Sequence, residues 1–95
     1  MKSFKEDLME AISLVSNIEH QLKINVLNGN EKTILYSILL KEKETQECII
    51  SDVIKISNLS RSTVFKTLKK LEDLGYILTH QSSSDKRELV ISVNV

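Results

Sequence analysis

At Gly75 the spacing of apolar residues switches from the period of a helix to the period of a strand, and this narrows the architectures open to a chain of 95 residues. Before the switch, Val64, Leu68, Leu71 and Leu74 recur at steps of three or four and line one side of a helix. After it, Leu89, Ile91, Val93 and Val95 alternate with Val90, Ser92 and Asn94, while "YILTHQ" precedes them across the polar loop "SSSDKR". Alternation on both sides of a polar loop predicts an antiparallel hairpin.

Upstream, the periodicity is helical. Phe4, Leu8, Ile12, Val15, Ile18, Leu22 and Val26 predict one long amphipathic helix. Ser3 and Glu6 stand at the spacing at which each side chain can satisfy the other's backbone amide, and "NGN" at 28–30 stops the helix. A second helix is predicted from a cap at Asn30, with Ile34, Leu35, Ile38 and Leu39 on one face, fading into a solvated charged loop, "KEKETQE". "CIISDVIKIS" reads as a short strand running into a third helix. Ser51 is its expected cap, Asp52 complements its positive start, and Val53, Ile54 and Ile56 face inward. Asn58 suits a left-handed turn, and Ser60 caps the fourth helix. The expected fold is α+β and mainly α: a long N-terminal helix, three further helices, a short strand and a C-terminal β-hairpin. With two glycines, no proline and no low-complexity break, residues 1–95 form one expected domain.

Several classes of function fall away. Hydrophobic residues make up 41% and charged residues 27%, which is globular composition. No apolar run approaches the ~18 residues of a membrane span, and "MKSFKEDLME" lacks a secretory core, so no membrane association is expected and the cytoplasm is the expected location. Cys48 has no disulfide partner and, with only His20 and His80, makes no zinc ligand set. Cys48 beside Ile49 and Ile50 reads as a buried thiol rather than a redox sensor. No glycine-rich phosphate loop or spaced nucleophile and base is present, so neither cofactor, metal nor enzymatic activity is expected.

Charge points to a partner. Residues up to Ile54 carry six Lys against nine acids, net −3, whereas those from Lys55 onward carry seven Lys or Arg against four acids, net +3. On the fourth helix, Ser62, Lys66, Lys69 and Lys70 lie opposite the apolar side, with Arg61 and Thr63 at its N-terminal shoulders. Acids return only at Glu72 and Asp73, whereas a solvated surface helix usually interleaves Glu and Lys. A cation-faced helix of this width fits the major groove of duplex DNA. Arg61 is the candidate for bidentate contact to guanine, with Ser62, Thr63 and Lys66 as base or phosphate contacts and Lys69 and Lys70 on the backbone. Phe65, at the edge of the polar face, is either a reader of a thymine methyl or a cover for the edge of the third helix.

The segments "ISDVIKISNLSRSTVFKTLKKLEDLGYI" and "SSSDKRELVISV" resemble the winged helix–turn–helix superfamily, and in particular the multiple-antibiotic-resistance regulator (MarR) family, over roughly residues 30–95. The resemblance rests on the "LSRSTV" helix start, the "LEDLGYI" exit and the "DKR" before an apolar strand. It implies a transcriptional regulator with a helix–turn–helix at 49–75, a recognition helix at 60–74 and a wing within 76–95. It also implies that Ser60, Arg61, Ser62, Thr63, Phe65 and Lys66 approach the major groove. Lys86 and Arg87, at a wing tip spanning 82–87, would meet the minor groove, with Asp85 orienting Arg87. In one departure, Ile54 replaces the small residue common in the middle of the first motif helix. In another, members continue past the wing into helices that build a dimer and line an effector pocket, whereas this sequence ends at Val95. The N-terminal helix, 1–28, is therefore the expected homodimer interface, through Phe4, Leu8, Ile12 and Val15. A second resemblance, in "LSRSTVFKT" and "GYI", is to the shorter partition adaptors of tubulin-like plasmid and phage segregation systems; it implies centromere binding and a filament-forming GTPase partner. A winged helix serving as a protein-interaction module is the third alternative.

Overall fold

The computed structural model describes residues 3–45, 47–85 and 88–95. Four helices precede one hairpin: α1 (Phe4–Leu22), α2 (Gly29–Glu44), α3 (Ile50–Ser57), α4 (Arg61–Asp73), β1 (Ile77–Gln81) and β2 (Leu89–Val93). The expected order of elements is present, and their boundaries differ from expectation for physical reasons.

The first helix ends at Leu22, short of the predicted stop at 28–30. Lys23 adopts the left-handed conformation, φ 62°, and the N–H groups of Lys23 and Ile24 bond to the carbonyls of His20 and Glu19 at 3.2 and 3.0 Å. This paired closure satisfies carbonyls that a helix end otherwise leaves free. It turns the chain so that Ile24 and Leu27 enter the core, while Val26, predicted on the helix stripe, faces solvent. Ser3 Oγ accepts the Glu6 N–H at 3.2 Å, the first of the two expected capping bonds.

Asn28, not Asn30, caps α2. Its Oδ1 accepts the Glu31 N–H, and Glu31 Oε1 accepts the Asn28 N–H, both at 2.8 Å. The residues read as a charged loop are helical through Glu44, and Glu42 Oε1 accepts the Val93 N–H at 2.9 Å. Ser51 lies within α3 rather than at its cap. Instead Asp52 Oδ2 reaches back to accept the Ile49 N–H at 3.0 Å. The short strand is a single antiparallel bridge, Ile49 to Val90, supported by the Ile91 N–H donating to the Cys48 carbonyl at 2.7 Å. Asn58 (φ 58°) and Gly75 (φ 85°) take left-handed conformations on either side of α4.

The core gathers Ile34, Leu35 and Ile38 of α2, Val53 of α3, Val64 and Leu71 of α4, and Ile77 and Ile91 of the hairpin. Ile77 pairs with Val93 and Gln81 with Leu89, which fixes the register. Strict alternation fails in β2, where Val90 and Ile91 are both buried because the strand packs on α2 and α3 while pairing with β1. Ile56, Leu74, Leu89 and Val95 are exposed, contrary to the inward placement their spacing suggested for Ile56 and Leu74.

No residue of α1 is buried, and the described residues, α1 included, span 51 × 26 × 23 Å. The C-terminal end of α1 is tied to α2 and to the start of β1. Glu19 accepts from Lys32 Nζ at 3.1 Å and from the Tyr36 hydroxyl, and the Tyr76 hydroxyl donates to the Lys23 carbonyl at 2.7 Å. Phe4, Leu8, Ile12 and Val15 are all exposed along it.

Candidate nucleic-acid interface

Helix α4 is divided as its sequence suggested. Val64, Thr67, Leu68 and Leu71 are buried, while Arg61, Ser62, Phe65, Lys66, Lys69 and Lys70 are exposed on the opposite side. Ser60 starts the helix by accepting the Thr63 N–H at 3.2 Å, and its hydroxyl donates to Thr63 Oγ1 at 2.8 Å. With Ser62 Oγ at 3.4 Å from Ser60 Oγ, three hydroxyls crowd a helix start whose first turn contains no acid. Such an end carries positive partial charge and attracts anions. Lys66 and Lys69 enter no ion pair among the described residues.

Lys70 does not point freely outward. Its Nζ lies 2.5 Å from Glu31 Oε2, which ties the recognition helix to the start of α2. Glu31 is 4% exposed, and Lys70, then the Asn28 amide, hold its carboxyl below its ordinary pKa against the opposing effect of burial. The expected backbone contact from Lys70 therefore competes with a structural bond.

Phe65 is 44% exposed, and the Arg61 guanidinium carbon sits 5.3 Å above its ring centroid. The ring borders the same two clefts as Ile50 of α3 and Leu89 of β2. The wing turn is organised by buried Ser82, whose hydroxyl accepts the Ser84 and Asp85 N–H groups at 3.2 and 3.3 Å. Lys86 and Arg87, and the expected Asp85–Arg87 contact, lie outside the described residues.

Sequence reasoning missed that the start of α2 opens on the same face: Asn28 and Asn30 share a cleft with Ser62, Thr63, Lys66 and Lys70. The signal was the Asn28/Glu31 spacing, obscured when Asn30 was taken as the cap. Cys48 is fully buried, and burial, with smaller contributions from Asp52 and Glu42, pushes its thiol pKa up to about 12. Among the described residues no group of three metal-ligating side chains occurs, and no helix is long and apolar enough to cross a membrane.

A helix with one buried and one cationic side, set behind a tight turn and followed by a β-hairpin, defines a winged-helix DNA-binding protein. The MarR family model matches residues 35–89, more than half of the chain, and the protein belongs to that family of DNA-binding transcription regulators. Solved structures share the fold. BpsR of Bordetella bronchiseptica, whose DNA binding is regulated by 6-hydroxynicotinic acid, matches with a TM-score of 0.60 and 15% identity over 97% of this chain and 68% of its own. A mutant of S. aureus MepR matches with a TM-score of 0.66 and 16% identity over 99% and 67%. Reduced AbfR bound to DNA matches with 0.59 and 24% over 96% and 67%. No curated protein matches the sequence. These comparisons lend no support to the partition-adaptor alternative or to a filament-forming GTPase partner.

The Glu31–Lys70 tie has a measurable signature. Because folding lowers the Glu31 pKa, its contribution is complete above the ordinary carboxylate pKa of about 4 and is lost as pH falls through the folded value. Glu31→Gln should lower stability at pH 7 by about 1 kcal/mol, a modest value because Lys70 is 59% exposed to screening water. Urea unfolding at pH 7 and pH 3 checks this: the difference between wild type and variant should shrink at pH 3, and an equal difference at both would contradict it.

Proposed function

We propose that the protein binds duplex DNA as a homodimer, with α4 in the major groove and the wing tip at the minor groove, and so regulates transcription in the cytoplasm. The observation that carries this reading is the division of α4, whose exposed side gathers Arg61, Lys66 and Lys69 while its other side completes the core. Arg61 offers the planar fork that matches guanine, and Ser62, Thr63 and Lys66 flank it. Asn28 and Asn30 at the start of α2 share a cleft with Ser62, Thr63 and Lys66 and would meet phosphates flanking such a groove, as would the exposed Lys69. Lys86 and Arg87 are assigned to the minor groove by the family resemblance of the wing.

A single recognition helix spans only a few base pairs, so specific affinity calls for two copies on half-sites about 34 Å apart, one turn of DNA. Helix α1 supports the dimer. It presents Phe4, Leu8, Ile12 and Val15 to solvent on a helix with no buried residue, a contiguous apolar stripe of the kind that marks contact with another protein. A two-fold arrangement would bury the same stripe from both copies.

Contacts to bases and to phosphates should separate by mutation. Arg61→Ala should cost about 1–3 kcal/mol on the preferred site and relax base preference at one position. Lys69→Ala should weaken all duplexes alike and lower the salt slope by about 1. Fluorescence anisotropy on specific and random duplexes distinguishes them, and equal losses on every duplex from both variants would show that the roles are misassigned. For the dimer, Leu8→Glu combined with Ile12→Glu should leave the domain folded by circular dichroism and shift its mass to that of a monomer in light scattering. Affinity for a two-half-site duplex should then fall by about 100-fold or more. A doubly substituted protein that stays dimeric would remove α1 from the interface.

A further inference from the structure

We propose that Phe65 is a positioning residue for Arg61: the ring holds the guanidinium in a fixed place at the start of α4, and base preference at the Arg61 position depends on that support. The proposal rests on the reading of α4 as the DNA-facing helix and adds a specificity role for a residue that touches no base itself.

Arg61 and Phe65 are one helical turn apart, and the guanidinium carbon lies over the ring at 5.3 Å. At that distance the negative face of the ring attracts the cation and takes no hydrogen-bond donor away from it. The donors that would fork onto a guanine remain available. A free arginine has several rotatable bonds to immobilise on binding, and a side chain already confined loses less on contact.

The ring has apolar neighbours from two other elements: it lines two clefts with Ile50 at the start of α3 and Leu89 at the foot of the wing. Covering that edge does not need an aromatic side chain, since a leucine would also fill it. What an aromatic adds is a face, and in this structure the face is occupied by Arg61. Direct reading of a thymine methyl by the same face is correspondingly disfavoured. Glu88 opens onto the cleft shared by Arg61 and Phe65. Without the ring, the guanidinium is free to turn toward that carboxylate and away from the groove.

Three variants test this: Phe65→Leu, which keeps apolar cover, Phe65→Tyr, which keeps the face, and Phe65→Leu placed in an Arg61→Ala background. Each is titrated against the selected site, against that site with each base pair changed in turn, and against random duplex. Phe65→Leu should reduce discrimination at the base pair read by Arg61 by about three- to tenfold, with affinity for random duplex and the salt slope unchanged. Phe65→Tyr should retain discrimination, and Phe65→Leu should remove nothing further once Arg61 is absent. Wild-type discrimination in Phe65→Leu would overturn the proposal. So would equal weakening on every duplex, which marks a structural role, or a loss that persists in the Arg61→Ala background, which marks direct contact with a base. Failure of the wild type to bind any duplex at low salt would overturn the DNA reading itself, and the positioning role with it.

Discussion

A helix of 13 residues that must complete a core on one side and meet a polyanion on the other has little freedom in its sequence, and the remaining structure is arranged around that constraint on α4. Val64, Leu68 and Leu71 commit one side to packing against α2, α3 and β1. The acids that would normally balance the lysines on a surface helix are displaced to Glu72 and Asp73 at its far end, where Glu72 accepts from the Thr79 hydroxyl of the wing. Positive charge is thereby left unopposed along the exposed side from Arg61 to Lys69, and the helix dipole adds to it at the N-terminal turn. Net neutrality of the chain is compatible with DNA binding because the field at a groove depends on where charges sit.

That arrangement needs a rigid mount, and two polar joints provide it. At the first, Glu31 closes the α2 capping box with one carboxylate oxygen and grips Lys70 with the other. Charge-assisted bonds at a nearly buried carboxylate are stronger than neutral ones and fix orientation. At the second, Glu19 of α1 takes hydrogen bonds from Lys32 and Tyr36, with the phenol pKa pushed up to about 12 by burial first and by Glu19 second. The first joint orients the reading helix on the core, and the second sets the angle at which α1 leaves it. In a dimer joined through α1, the second joint would set the distance between the two reading helices.

Much of this was legible in the sequence because period and capping are local. The hairpin after Gly75, the Ser60 cap, the left-handed Asn58 and the division of α4 follow from neighbours a few residues apart and are present, except that Leu74 is exposed and Val90 is buried beside Ile91. What was not legible depends on contacts distant in sequence. Helix α1 was extended through Val26 because its spacing fits, yet Ile24 and Leu27 are drawn into the core and force the turn at Lys23. Lys70 looked like a free phosphate contact because its partner lies 39 positions away, at Glu31. Phe65 was ambiguous between core edge and groove, and the stacking of Arg61 on its ring gives it a third possibility.

If the exposed side of α4 is a surface for nucleic acid, binding to random-sequence duplex DNA must depend on salt. Each phosphate neutralised releases condensed counterions, so the logarithm of the association constant should fall linearly with the logarithm of salt concentration, at about 0.9 per contact. Binding should be measurable at low salt and decline steeply as salt rises, with the decline made shallower by removing Lys66 or Lys69. No binding at low salt, or binding indifferent to salt, would contradict it.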